Sequence, residues 1–452
     1  MVTVPAPSRR LGCCQTGAMS SDPQPQPPGA HAPTPIASPL AGGVAPCGDM
    51  LQRILRARVY DVAIESPLDP APNLSRRLDN RVLLKREDLQ PVFSFKLRGA
   101  YNKMAGLSAG ELARGVIAAS AGNHAQGVAL AAQRLGCKAV IVMPVTTPDM
   151  KVRAVASRGA EVLLHGDTYD AAYGEARRLE QERGLSFIHP FDDPDVIAGQ
   201  GTIGLELAER GVPFDDVVIP IGGGGLFAGI AVALQEAMPA ARLTGVEAAH
   251  YPSMLAALEN RAAPAPAPAL AEGIAVKAPG KLTLPIIRDR ADRIVLVDEA
   301  HLEIAVETLA EIEKTVAEGA GAAALAAVMA EPERFTGRRV CLILSGGNID
   351  SFILAQALLR GLARERRIVR LRVEAPDQPG SLALTTRIIA EQGGNVLEVR
   401  HERLSFDVPI KATQIDFVLE TEGREHLDRI VAALRASHIE AEPMSPLAHA
   451  AG

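Results

Sequence analysis

The sequence predicts an α/β protein built on parallel sheets, followed by a smaller α+β unit. Three observations carry that prediction. From Leu51 onward, short β-type apolar runs alternate with helical patterns, the order expected of strands covered by helices on both faces. Several of those runs end in small or polar turns that open a helix, which is where open α/β sheets bind ligands. After the charge run Arg364-Glu365-Arg366-Arg367 the pattern changes to strict alternation, so a second unit begins there.

Residues 1–48 hold ten prolines among Ala, Gly, Gln and Ser, too few large apolar side chains to offset the entropy of ordering, so they are expected to form a disordered tail. Arg9-Arg10 is not followed by the apolar stretch of roughly 7 to 15 residues that a twin-arginine signal needs. A transit peptide, or a start near Met50, are the other readings of this tail. Residues 49–363 are expected to form the main unit. Its strands are Val116 to Ala119, Ala139 to Met143 (stopped by Pro144), Val162 to Leu164, Val217 to Ile219, Leu243 to Val246, Ile294 to Val297 and Val340 to Leu344. Gly122 to Leu135 and Tyr169 to Glu182 are helical by their apolar spacing. The Ala-Pro repeat from Ala263 to Pro268 is an extended surface loop.

The second unit, residues 368–445, opens with Val369, Leu371, Val373 and Ala375 alternating with Arg370, Arg372 and Glu374, a half-buried strand. Asp377-Gln378-Pro379-Gly380 turns it into a helix from Ser381 to Gln392, which Gly393-Gly394 stops. Asn395 to Leu404 and Ile410 to Glu420 are strands. Leu427, Ile430, Val431 and Leu434 mark an amphipathic helix, and Ile439 is placed in a short last strand. The order is βαββαβ.

Composition excludes several classes. A chain of 452 residues exceeds one ordinary core, so two or three domains are expected. A net charge of −6 and a pI near 6.0 supply no basic surface for nucleic acid. No apolar run approaches the roughly 20 residues of a membrane span. Cys13, Cys14 and Cys47 in the tail form neither a disulfide framework nor a metal pattern, and Cys137 and Cys341 read as reduced core residues of a cytoplasmic protein.

Chemistry concentrates at four turns. Ser94-Phe95-Lys96-Leu97-Arg98-Gly99-Ala100 sets a lysine where an apolar neighbour and a following helix hold it, although a lysine at a helix start is more often a surface charge. Ser120-Ala121-Gly122-Asn123-His124 follows one strand. Gly222-Gly223-Gly224-Gly225 follows another, and four residues without Cβ let N–H groups converge on an anion, phosphate above all. It lacks the spacing of a nucleotide P-loop or a dinucleotide fingerprint. Ser345-Gly346-Gly347-Asn348 closes the last strand.

Together these turns, in this order, resemble the pyridoxal-phosphate enzymes of the tryptophan-synthase β fold type (type II), and within them the threonine dehydratases, or threonine ammonia-lyases. The resemblance runs from about Leu51 to Arg364. It implies a small domain of about residues 97–190 inserted in a larger one, with pyridoxal 5'-phosphate between them. Lys96 is implied to carry the cofactor as a Schiff base and then act as the base, with Phe95 against the ring and Asn123 on the phenolic oxygen. Gly222, Gly223, Gly224 and Gly225 are implied to hold the phosphate, and Ser345 to meet the pyridine nitrogen. Ser120, Ala121, Gly122, Asn123 and His124 are implied to bind the substrate carboxylate.

The implied reaction is dehydration of L-threonine to 2-oxobutanoate and ammonia, with L-serine as a further substrate. Serine or 3-hydroxyaspartate ammonia-lyase is the alternative. Serine racemases carry a serine where this chain has Ala121, which argues against racemisation. Glu247 matches a carboxylate of a cation site in part of the family, but Tyr251 and Ser253 fit such a site poorly, so no metal is expected. The C-terminal unit resembles a single ACT domain, implying a homotetramer or homodimer that takes a branched-chain amino acid as effector. An amino-acid sensor with a degenerate catalytic part is the non-enzyme alternative, disfavoured by the complete residue set.

Overall fold

The computed structural model describes residues 47–402 and 411–444. Arg9-Arg10, Cys13, Cys14 and the rest of the expected tail up to residue 46 lie outside the described residues, as do Leu404 and Ile410. The first helix, Cys47–Leu55, begins within the last two residues assigned to that tail.

Among the described residues fourteen strands fall into three sheets. In chain order they are β1 Leu68–Pro70, β2 Arg81–Arg86, β3 Val116–Ala119, β4 Ala139–Met143, β5 Glu161–Leu164, β6 Ser186–Phe187 and β7 Asp216–Pro220. Then come β8 Arg242–Ala248, β9 Arg293–Val297, β10 Arg339–Leu344, β11 Ile368–Pro376, β12 Asn395–Glu402, β13 Ala412–Glu420 and β14 Glu440–Met444. The large sheet runs β1-β2-β10-β7-β8-β9 and is parallel throughout except for the antiparallel edge strand β1. The second sheet, β5-β4-β3-β6, is wholly parallel. Every residue of β3, β4 and β7 is buried, which is why these strands read as continuous apolar runs.

The sequence pattern leaves out β1, β2 and β6. Two of them are only two or three residues long, and β2 interrupts its apolar alternation with the buried Lys85. Helices cover both faces of the large sheet. Helix Gly319–Ala330 is apolar all round and almost wholly buried, as a helix enclosed on every side must be. Helices Pro194–Glu209 and Gly225–Ala237 approach so closely that a Cβ on Gly229 would lie 2.6 Å from the Gly201 nitrogen. Backbone-to-backbone packing of this kind draws the helix that follows the tetraglycine down against the core.

The C-terminal sheet, β12-β13-β11-β14, is antiparallel, with β11 at its centre beside β13 and β14. Val369, Leu371 and Val373 of β11 and Ile415, Phe417 and Leu419 of β13 bury one face against Ile389, Leu427 and Ile430 of the two helices. Ile439 is buried but precedes β14, so the residue expected in the last strand instead anchors the turn into it. At the junction with the main unit, Arg360 and Arg364 pair with Glu303, Arg364 also with Glu307, and Arg367 with Glu311. Among the described residues no helix is long and apolar enough to cross a membrane.

Candidate active site

Lys96 is the first residue of helix Lys96–Ala105, and the segment before it is held on two sides. Ser94 bridges to Gly346, and the Phe95 N–H donates to the Ser345 carbonyl at 3.2 Å. The lysine turn is therefore tied directly to the turn that ends β10. Lys96 Nζ donates to the Pro190 carbonyl at 3.0 Å and lies 5.2 Å from the centroid of the Phe95 ring. Burial pulls its pKa down to about 8, against the opposing pull of the Glu318 charge. An amine so placed has an appreciable neutral fraction near pH 7 to 8, the form that attacks carbonyl carbon.

The tetraglycine joins β7 to helix Gly225–Ala237. Gly224 caps that helix at φ 96°, ψ −6°, a left-handed conformation that glycine adopts without strain, and no side chain caps the helix start. The first-turn N–H groups of such a helix have no intrahelical acceptor and can meet an anion. A Cβ on Gly223 would sit 2.2 Å from the Phe191 ring, and one on Gly225 2.9 Å from the Phe191 carbonyl oxygen. The Pro190–Phe191 segment thus stands between the lysine and the glycines, touching both.

Ser120, Ala121 and Gly122 link β3 to helix Asn123–Leu135, whose N-terminus also lacks a side-chain cap. Ser120 Oγ accepts from the Gly122 N–H at 3.2 Å. Asn123 reaches two neighbours: its Nδ2 donates to Glu318 Oε1 at 2.5 Å, and its Oδ1 accepts from Asn348 Nδ2 at 2.7 Å. His124 is buried, with Nε2 bonded to the Ile188 carbonyl at 2.8 Å, and desolvation lowers its pKa to about 3. It stays neutral and fixes the loop to the strand end. Ser345 Oγ donates to the Ala320 carbonyl at 3.1 Å, which leaves its lone pairs for another partner. Ser94 Oγ is fully buried with no hydrogen-bond partner among the described residues.

Glu318 was not among the residues singled out from the sequence. It precedes the glycine-alanine helix start Gly319-Ala320-Gly321, and an acid immediately before so apolar a helix is the signal that could have found it. Burial raises its pKa to about 7, with the Asn123 hydrogen bond pulling the other way.

Glu247 lies elsewhere. Its carboxylate accepts from the N–H groups of Met254 and Leu255 at 2.8 and 2.9 Å, and burial raises its pKa to about 7. Among the described residues it belongs to no group of acids, histidines or cysteines close enough to share an ion. The carboxylate thereby holds the turn after β8.

Behind the lysine helix, Arg98 is wholly buried between two carboxylates. Its Nε and Nη2 each bond Glu87 at 2.8 Å, and its Nη1 bonds Glu206 Oε1 at 2.5 Å, while Lys85 also pairs with Glu206. Two cations and two anions balance, so the residue two positions after Lys96 is locked to the turn that follows β2 and to helix Pro194–Glu209.

The arrangement fits pyridoxal phosphate on features of its own: a desolvated amine, an uncapped helix start behind a glycine run where a Cβ at Gly223, Gly224 or Gly225 would collide, and a hydroxyl at a strand end. Comparison with known proteins agrees. A family pattern described as pyridoxal-phosphate dependent enzyme matches residues 59–346, and one described as ACT domain matches residues 364–438. The L-threonine ammonia-lyase of Thermotoga maritima is 44% identical over 369 residues, covering 81% of this chain and 92% of that protein. The biosynthetic L-threonine dehydratase of Escherichia coli is 46% identical over 349 residues, 76% of this chain and 67% of that one. Among solved structures, the processed form of threonine deaminase isoform 2 from Solanum lycopersicum shares 43% identity with a TM-score of 0.69, covering 72% of this chain and 96% of that chain. Maize serine racemase is similar at 29% identity and a TM-score of 0.63, covering 70% of this chain and 98% of that chain.

Proposed function

As the chain belongs to the pyridoxal-phosphate dependent enzymes and carries an ACT domain behind the catalytic part, we propose that it is a threonine ammonia-lyase. It converts L-threonine to 2-oxobutanoate and ammonia: elimination expels water, and hydrolysis of the resulting enamine returns one water and releases ammonia. The observation that carries this is the 44% identity across 92% of an L-threonine ammonia-lyase, supported by a desolvated lysine held at the end of a parallel strand system. Bound pyridoxal phosphate supplies the electron sink that makes the threonine Cα proton removable.

The residue roles are proposed from the four turns and what each can offer. Lys96, whose amine has an appreciable neutral fraction near pH 7 to 8, would hold the cofactor and take the Cα proton. The N–H groups of Gly222 to Gly225 take the phosphate, Asn123 the phenolic oxygen and Ser345 the ring nitrogen. Phe95 backs the ring. The uncapped helix start at Ser120 to His124 binds the substrate carboxylate. A serine hydroxyl at the ring nitrogen does not favour a full positive charge there, which favours elimination over transamination. Ala121 offers no proton to the opposite face of Cα, which weighs against the racemase chemistry named for the maize relative.

The catalytic part is taken as residues 49–363, with a small domain of about 97–190, and the ACT domain as residues 368–445. The protein is proposed to be a cytoplasmic homo-oligomer, a tetramer or a dimer, whose ACT units pair and bind a branched-chain amino acid. One methyl group changes discrimination by only about 1 to 3 kcal/mol, so L-serine is a weaker substrate by about 10- to 200-fold. Comparing kcat/KM for L-threonine, L-serine and 3-hydroxyaspartate tests the assignment. Preference for 3-hydroxyaspartate or serine over threonine overturns it.

A further inference from the structure

The amide of Asn123 has its orientation dictated from outside, by a chain of hydrogen bonds that starts at a backbone carbonyl. Asn348 Nδ2 lies 2.8 Å from the Val92 carbonyl oxygen, which can only accept. The end of the Asn348 amide at that contact is therefore its NH2. The same NH2 faces Asn123 at 2.7 Å, so the Asn123 atom there is the oxygen, Oδ1. It follows that the Asn123 NH2 points the other way, where it meets Glu318 Oε1 at 2.5 Å. A carboxylate accepts there, and so does the carbonyl oxygen of a neutral carboxyl. The clamp thus holds whether or not Glu318 carries a proton.

Backbone contacts hold the far end. The Glu318 N–H donates to the Gly346 carbonyl at 3.1 Å, and the Gly347 N–H donates to the Phe93 carbonyl at 2.9 Å. Gly346 is pressed so close to the acid that a Cβ there would lie 2.5 Å from Glu318 Oε1. All three side chains are thereby fixed to the Ser345–Asn348 turn and, through Phe93, to the segment carrying Lys96. An amide NH2 has two hydrogens. Glu318 takes one, and among the described residues the other meets no acceptor, with its direction set.

We propose that Glu318 and Asn348 are positioning residues that clamp the Asn123 amide so that one N–H is presented to the phenolic oxygen of the cofactor. The proposal rests on the assignment of pyridoxal phosphate to this site. It adds two residues that are not part of the assigned site and gives them distinct requirements: position 318 must accept, and position 348 must donate.

Those requirements set the test. Holoenzymes carrying Glu318→Gln, Glu318→Ala and Asn348→Asp are dialysed against cofactor-free buffer while the visible absorbance of bound cofactor is followed, with thermal unfolding recorded in parallel. Glu318→Gln keeps an acceptor and is expected to retain cofactor within about twofold of the parent. Glu318→Ala and Asn348→Asp each remove a required partner from a partly buried hydrogen bond and are expected to lose cofactor about tenfold faster, with a shifted absorbance maximum. Asn348→Asp preserves shape, so its loss of cofactor at an unchanged unfolding temperature separates positioning from simple destabilisation. Parental retention and spectrum in both Glu318→Ala and Asn348→Asp overturn the clamp, as does a Glu318→Gln enzyme as defective as Glu318→Ala. An unsubstituted enzyme without any Lys96-dependent visible absorbance overturns the cofactor assignment itself, a separate and recognisable result.

Discussion

Gly224→Ala tests the phosphate cradle in a way that separates backbone strain from ligand loss. Gly224 has φ 96°, and an added methyl would meet Thr283 Oγ1 at 2.7 Å and both Ile287 Cδ1 and Met254 Cε at 2.8 Å. Thr283 cannot swing aside freely, because its Oγ1 donates to the Gly223 carbonyl at 2.6 Å. The left-handed conformation costs an L-residue about 1 to 2 kcal/mol, and the overpacking about 1 to 3 kcal/mol more. The loop relieves that load by moving, which takes N–H groups away from the phosphate. Loss of one hydrogen bond to a charged group, about 1.5 to 3 kcal/mol, weakens cofactor binding by about 10- to 150-fold. Equilibrium dialysis of the holoenzyme against graded pyridoxal phosphate measures this directly. Gly136→Ala is the control, since Gly136 has φ 67° with nothing within 4 Å of its missing Cβ. It carries the strain alone and is expected to leave cofactor binding unchanged. If Gly224→Ala binds the cofactor as tightly as Gly136→Ala, the tetraglycine is not the phosphate site.

Further outcomes follow from other parts of the molecule. Arg98→Met leaves Glu87 and Glu206 buried with only Lys85 to balance them, a loss of about 3 to 5 kcal/mol in urea unfolding; an unchanged midpoint contradicts it. Glu247 has its pKa raised to about 7, so the folded state binds more protons than the unfolded one from about pH 4.5 to 7, and its contribution to stability falls as pH rises through that window. Glu247→Gln is expected to flatten that part of the stability profile by up to about 3 kcal/mol, and an identical slope in both proteins refutes the reading. Truncation after Ala363 is expected to leave threonine turnover but abolish any response to isoleucine or valine. An intact enzyme indifferent to both amino acids removes the regulatory role.

Much of this architecture was legible because parallel strands buried on both faces must be apolar throughout. Val116 to Ala119 and Ala139 to Met143 stand out for that reason, and their ends deliver the Ser120–His124 loop and Pro144 where expected. The ACT domain was legible through alternation in β11 and β13, where one face is wet. Short or polar-interrupted strands such as β6 and β2 were not. Lys85, Glu87, Arg98 and Glu206 look like ordinary surface charges in sequence, because their partners are brought together only by the fold. Glu318 is hidden for the same reason, since nothing within its own segment reveals that Asn123, almost two hundred positions earlier, donates to it. The backbone partners of Glu247 were hidden as well, since its two donors, the N–H groups of Met254 and Leu255, come from the next turn.

The central claim is that Lys96 carries the chemistry, and the most direct measurement is threonine turnover by Lys96→Ala alongside its visible spectrum. The Lys96 amine makes one hydrogen bond, to the Pro190 carbonyl, so its removal leaves the surrounding turns in place and the protein folded. The variant is expected to be a folded protein with no 2-oxobutanoate formation above background and no lysine-dependent cofactor absorbance. Undiminished turnover of L-threonine by that variant would contradict it.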